Sequence, residues 1–375
     1  MTKSKYSLVT AIVQKNVTST VLDSELKSGC HSIITIQARG TLVRDSWVQS
    51  LLPAIHPEQD VLQMLVPNNN VNSIIAHIVQ SGGLHLSGSG AIYSSPCVDT
   101  FSLNGFKEQS LTKQDSIVKL SKDLVAIYCI VQKDKAERIS SAIIKAGGPS
   151  ATIFYGHGRG IRDRMGLVRI AINPEKELMS IIVNSCDANH LFNVMVESGH
   201  LDRPGEGFIY MIPVENGLMN IATVFTNERH SATTQQIIKA IDELKGNSDW
   251  RAQEMINAYI NPDAGNQLKQ RKYLTDLIRL TCVTDRGNSG PFIEKAFELG
   301  APGASISYGE NIPEKDIQSD SKIPIVQEKE LIEMTLSKEI TTTVIKEMKN
   351  VAKLNKSESF TLYTHKVPKA LTYLP

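Results

Sequence analysis

From residue 125 to residue 212 the chain alternates two kinds of apolar spacing, and together they outline one module. Val125 to Val131 is an apolar run that reads as a strand. Ile139, Ala142, Ile143 and Ala146 then follow the i, i+3, i+4, i+7 spacing of a helix with one buried face. Gly147-Gly148 stops that helix, as a glycine just past a helix end does. Ala151 to Tyr155 and Leu178 to Val183 read as second and third strands with a long loop between them. Leu191, Phe192, Met195 and Val196 line a second helix, and Phe208 to Ile212 forms a fourth strand. The order βαββαβ is that of the ferredoxin-like module, an antiparallel sheet with both helices on one face.

The same pattern stands on either side. Ala11-Ile12-Val13-Gln14-Lys15 returns as Cys129-Ile130-Val131-Gln132-Lys133, 118 positions later, and Gly29, Gly40 and Arg44-Asp45 return at the same offset. From Pro57-Glu58 onward the offset is 117, which also relates Gly88-Ser89-Gly90 to Gly205-Glu206-Gly207. At an offset of 153, Gly147, Tyr155-Gly156, Glu175-Lys176-Glu177 and Tyr210 return as Gly300, Tyr308-Gly309, Glu328-Lys329-Glu330 and Tyr363. Val71, Ile74, Ile75 and Ile78 repeat the second-helix face in the first copy. In the third, Ile332, Met334 and Leu336 alternate with Glu333, Thr335 and Ser337, which reads as a strand with one wet face.

The expected fold is therefore α+β, with three tandem modules at 1–106, 123–228 and 274–375. The connector 229–273 has helical stretches around Ile237 to Leu244 and Trp250 to Ala258. A ferredoxin-like sheet leaves one face uncovered. Three such sheets round a threefold axis would cover one another, so the expected architecture is an intramolecular pseudo-trimer, monomeric as a chain.

Bulk properties narrow the function. A length of 375 residues suits two or three domains. The net charge of +1 leaves no electrostatic footprint for nucleic acid. No run is long and apolar enough for a membrane span, and Met1 to Tyr6 lacks a signal-peptide pattern. The five cysteines are odd in number and scattered, which suits reduced thiols and a cytoplasmic location. No nucleophile with a paired base stands out, His157, His190 and His200 lack a ligand spacing, and Glu175-Lys176-Glu177 reads as a solvated strand edge.

Two loops of the middle copy could carry chemistry. Tyr155-Gly156-His157-Gly158-Arg159-Gly160-Ile161-Arg162-Asp163-Arg164 leaves the second strand with three glycines and three arginines. Glycines let backbone N–H groups approach an anion, and arginines give charge-assisted hydrogen bonds to phosphate. Asp202-Arg203-Pro204-Gly205-Glu206-Gly207 precedes the fourth strand and can reach the same inter-module cleft.

With these motifs the chain resembles the PII family of nitrogen-regulatory signalling proteins, best across Val125 to Phe225. The resemblance implies βαββαβ modules whose clefts take an adenine nucleotide (ATP, ADP or AMP), and a long loop that contacts a membrane transporter or metabolic enzyme. Gly156, Gly158 and Arg159 match the family's glycine-rich loop base. Gly205, Glu206 and Gly207 match its Gly-Asp-Gly turn, and Pro213-Val214-Glu215 its Pro-Val-Glu. The ligand-binding candidates are Gly156, Gly158, Arg159, Gly160, Arg162, Arg164, Gly205, Glu206 and Gly207, with a partial site at Arg39, Gly40, Arg44, Gly88 and Gly90.

Departures from the family pattern matter as much. Gly160 replaces a glutamine that helps hold Mg²⁺ and 2-oxoglutarate, Phe208 replaces a lysine, and two phosphate-binding arginines fall near Met219 and Ile221. These losses point away from 2-oxoglutarate sensing and toward a nucleotide with fewer phosphates or a different small anion. A regulator that is not an enzyme is the leading reading. The alternatives are a protein–protein adaptor that binds no ligand and a metal-handling protein on the same fold.

Overall fold

The computed structural model describes residues 4–22, 26, 29–41, 57–86, 88–106, 119–160, 175–220, 240–241, 244–246, 271–311, 327–355 and 359–373. It is a mixed α/β protein with antiparallel strand pairing throughout. Residues 4–106 carry β1 (Tyr6–Gln14), α1 (Thr18–Val21), β2 (Ser32–Gly40), β3 (Glu58–Pro67), α2 (Val71–Ser81), β4 (Gly90–Pro96) and a short β5 (Thr100–Ser102). Residues 119–220 carry β6 (Leu124–Gln132), α3 (Ala136–Lys145), β7 (Thr152–Gly160), β8 (Glu175–Asn184), α4 (Ser185–Gly199), β9 (Gly207–Pro213) and β10 (Asn216–Asn220). Residues 271–373 carry β11 (Leu277–Asp285), α5 (Ser289–Glu298), β12 (Gly303–Asn311), β13 (Gln327–Ser337), α6 (Lys338–Leu354), β14 (Thr361–Val367) and β15 (Ala370–Thr372). Within the segments the strand orders are β4-β1-β3-β2, β9-β6-β8-β7 and β14-β11-β13-β12.

The segments join through their main chains in two sets of pairings. Second strands meet end to end, with Arg39 opposite Ile153, His157 opposite Ile306 and Glu310 opposite Thr35. The short strands after each fourth strand cross to a neighbour, with Gly217 opposite Tyr93, Ala370 opposite Tyr210 and Thr100 opposite Tyr363. Each set joins the first of these segments to the second, the second to the third and the third to the first.

Both faces of every sheet are buried. On β6, Ile127, Cys129 and Val131 lie under α3 and α4, whereas Leu124, Ala126 and Tyr128 lie in a core shared by all three segments. β1 divides in the same way, with Val9, Ala11 and Val13 under α2 and Tyr6, Leu8 and Ile12 in the shared core. The strand expected to have a wet face is different in the structure: Glu333 of β13 is buried, because its outward side meets the other two sheets and not water. It is ion-paired with Arg279 of β11, which is itself 1% exposed. Of the expected connector helices, residues 250–258 lie outside the described residues.

Candidate ligand-binding cleft

The glycine-rich stretch of the middle segment was expected to be loop. The structure keeps it in strand β7 as far as Gly160, because β12 supplies hydrogen-bonding partners opposite Gly156 to Gly160. Gly156 has a steric reason to be glycine, since a Cβ there would press on the carbonyl oxygen of Ile306 in the next segment. Beside it, His157 Nδ1 and the Tyr308 hydroxyl are 3.1 Å apart, and Arg286 lies 4.0 Å over the Tyr308 ring. Arg159 is exposed and, among the described residues, has no ion-pair partner; Gly160 follows it. Arg162 and Arg164 lie outside the described residues, as does Arg44.

The end of β7 and the Gly205 turn are linked through two side chains. Gly158 rests against the aliphatic stem of Lys176, where a Cβ would come within 2.8 Å of Cε. Lys176 Nζ donates to Gln132 Oε1 at 2.7 Å, and Gln132 Nε2 donates to the Gly205 carbonyl at 2.9 Å. Glu206 is ion-paired with Lys135. Gly205 has φ +76° with open space around its Cβ position, so the turn asks for glycine through its backbone conformation. Gly207 is different: a Cβ there would collide with the carbonyl oxygen of Ile130 on β6. Its bare Cα serves the β9–β6 ladder. On the far side Thr372 of β15 donates its hydroxyl to the Gly207 carbonyl at 2.9 Å, so the third segment abuts the start of β9.

The partial site of the first segment is chemically occupied. Arg39 donates to the Tyr155 hydroxyl at 3.1 Å, to Glu137 at 3.2 Å and to Glu177 at 3.3 Å, all in the second segment. Thr41, which aligns with Arg159, is buried and hydrogen-bonded to Ser140 and to the main chain of Ala151. Gly40 donates its N–H to the Pro57 carbonyl, Gly88 has φ +82°, and Gly90 approaches the Ile12 carbonyl as Gly207 approaches that of Ile130. In the third segment Phe360 takes the place of Gly207 and stacks on Phe292. Lys329, which aligns with Lys176, is buried between Asp285 and Ser359.

One set of residues escaped the sequence reading. Glu177 was expected at a solvated edge, but it is buried, and its Oε2 accepts the first N–H of α3, from Ala136, at 2.9 Å. Glu330 does the same for Ser289 of α5 at 3.0 Å, and Asp60 accepts the hydroxyl of Thr18 in α1. A helix start leaves N–H groups unpaired, and Glu177 and Glu330 each satisfy one, whereas Asp60 holds the first helix through a side-chain hydroxyl. The signal was present, since all three align under the repeat offsets.

A cavity of about 280 Å³ lies at the end of α4, lined by Glu197, His200, Asp202, Arg203 and Arg271. Its Arg271 is ion-paired with Glu197 at 3.2 Å and Asp202 at 3.6 Å. Among the described residues no three histidine, cysteine or acidic side chains are grouped to hold a metal, and no helix is long and apolar enough to cross a membrane.

Antiparallel strand pairing with helices packed on one face defines the class as a mixed α/β protein. The chain is 33% identical over 91 residues to the nitrogen fixation nifHD region GlnB-like protein 1 of Methanothermobacter marburgensis, a match covering 24% of this chain and 87% of that protein. The chain belongs to the GlnB-like (PII) family of signal-transduction regulators. A crystal structure of Arabidopsis thaliana PII bound to citrate aligns with 25% of this chain and 79% of its own length, at 21% identity and a TM-score of 0.20. No family model matches the chain.

Proposed function

We propose that this protein is a PII-like regulator built from three modules closed into a pseudo-trimer within one chain. It takes one phosphate-bearing adenine nucleotide in the cleft between the second and third segments. In this reading the occupied cleft changes how the chain engages a protein partner, a transporter or a metabolic enzyme. The observation that supports it is the link from Gly158 of β7 through Lys176 and Gln132 to the Gly205 turn, with the exposed Arg159 next to Gly158 in sequence. The equivalent places elsewhere are taken, by Arg39 with Glu137 and Glu177 and by Lys329 with Asp285. By the resemblance, the family's two phosphate-binding arginines fall near Met219 and Ile221, and neither position is an arginine here. That supports a ligand with few phosphates. Calorimetry against AMP, ADP, ATP, cyclic AMP and 2-oxoglutarate tests the proposal. The expected result is about one site per chain, with AMP or ADP bound at least as well as ATP. Three equal sites, or no nucleotide binding, would reject it.

A further inference from the structure

The axis where the three sheets meet is polar, and its polar contacts differ from one segment pair to the next. The Tyr93 and Tyr128 hydroxyls, 2.6 Å apart, join the first segment to the second. The Tyr363 hydroxyl donates to Gln63 Oε1 at 3.0 Å and joins the third to the first. Arg279 of the third segment lies 4.8 Å over the Tyr128 ring and 5.8 Å from that of Tyr210, both in the second. Its charge is balanced by Glu333 on the neighbouring strand of its own segment. By the repeat offsets, the position of Arg279 holds Leu8 and Ala126 in the other segments, and that of Glu333 holds Gln63 and Ser180.

A fully buried ion pair is a poor source of stability, because desolvating two charges offsets most of their attraction. Its attested use is to make one packing arrangement acceptable and the others costly. Main-chain ladders between segments do not by themselves distinguish one segment from another, and the ion pairs at their rims, Arg39 with Glu137 and Glu177, join only the first segment to the second. We infer that Arg279 with Glu333 is a recognition key: it makes the inner face of the third segment fit the tyrosine-lined face of the second, and disfavours a first or second segment, of this chain or of a second copy, in that place. The inference rests on closure of the three segments within one chain, which is tested separately by the mass of the parent protein in solution.

The test changes the full chain so that the third segment carries the first segment's residues at both positions, Arg279→Leu with Glu333→Gln. Parent and variant are unfolded in denaturant, refolded at dilute and at concentrated protein, and weighed by light scattering. The parent is expected to return to one species at every concentration. The double variant is expected to melt within a few degrees of the parent, yet to populate segment-exchanged oligomers that increase with concentration. Arg279→Leu alone strands a buried carboxylate and should melt far lower than either. A double variant that refolds as cleanly as the parent would overturn the inference. So would one that fails to fold, because the pair would then carry stability and not selection. A parent that is itself oligomeric would instead refute closure within one chain.

Discussion

Where β2 meets β7, Arg39 stands opposite Ile153; where β7 meets β12, His157 stands opposite Ile306. The two ladders share one register, but their rims differ. At the first junction the guanidinium reaches Tyr155, Glu137 and Glu177, and Thr41 is sealed against α3 and Ala151. At the second, the residue aligned with Glu137 is Gly290, the imidazole meets Tyr308, and Arg159 stays in water. Main-chain pairing holds both junctions, so rim side chains can diverge without disturbing the ladder. One junction has become a brace and the other has kept exposed cationic chemistry.

The largest expected effect lies in the backbone common to both. Gly207→Val drives a branched side chain into the Ile130 carbonyl and should cost more than about 3 kcal/mol, with or without ligand, by urea unfolding. Gly205→Ala, with open space and a positive φ, should cost only about 1 kcal/mol. Equal costs would break the distinction between a ladder glycine and a turn glycine.

The comparison of rims is sharpened by Arg39→Ala. It leaves Glu177, whose side chain is 2% exposed, without its cation, and should destabilise the fold by on the order of 2–3 kcal/mol. His157→Ala at the matching position gives up one partly buried contact and should cost roughly 1 kcal/mol or less. If the two variants melt alike, the first junction is no stronger a brace than the second.

Acid should weaken the structure through the shared core. Burial, with the nearby Arg279 charge, lowers the pKa of His365 from 6.5 to about 3. Between those values the unfolded chain takes up a proton that the folded chain refuses, so this contribution is complete above pH 6.5 and is lost as the pH falls toward 3. About 2 kcal/mol should be gone by roughly pH 5. His365→Gln should flatten that slope in urea midpoints measured across the window. An unchanged slope would mean that other groups carry it.

The smallest change in stability, and the one that bears on ligand, is Arg159→Ala. Being exposed, it should leave melting unchanged within about 0.5 kcal/mol. Losing one charge-assisted hydrogen bond should weaken nucleotide binding about tenfold. Unchanged affinity would remove Arg159 from the cleft's chemistry.

The amino-acid sequence by itself determined the strand-and-helix order of the middle segment and the apolar faces of α2, α3 and α4. These depend on spacing within a few turns or a few strand residues, which any stretch of chain carries locally. Tertiary structure alone decided that β7 runs on to Gly160, that Glu177 and Glu333 are buried, and that Arg39 is a brace. In each case the deciding group belongs to an element distant in sequence: β12 for the strand, α3 and Arg39 for Glu177, Arg279 and the two facing sheets for Glu333. A charged residue on a strand looks solvated until the surface that covers it is known, and here that surface comes from another segment of the chain.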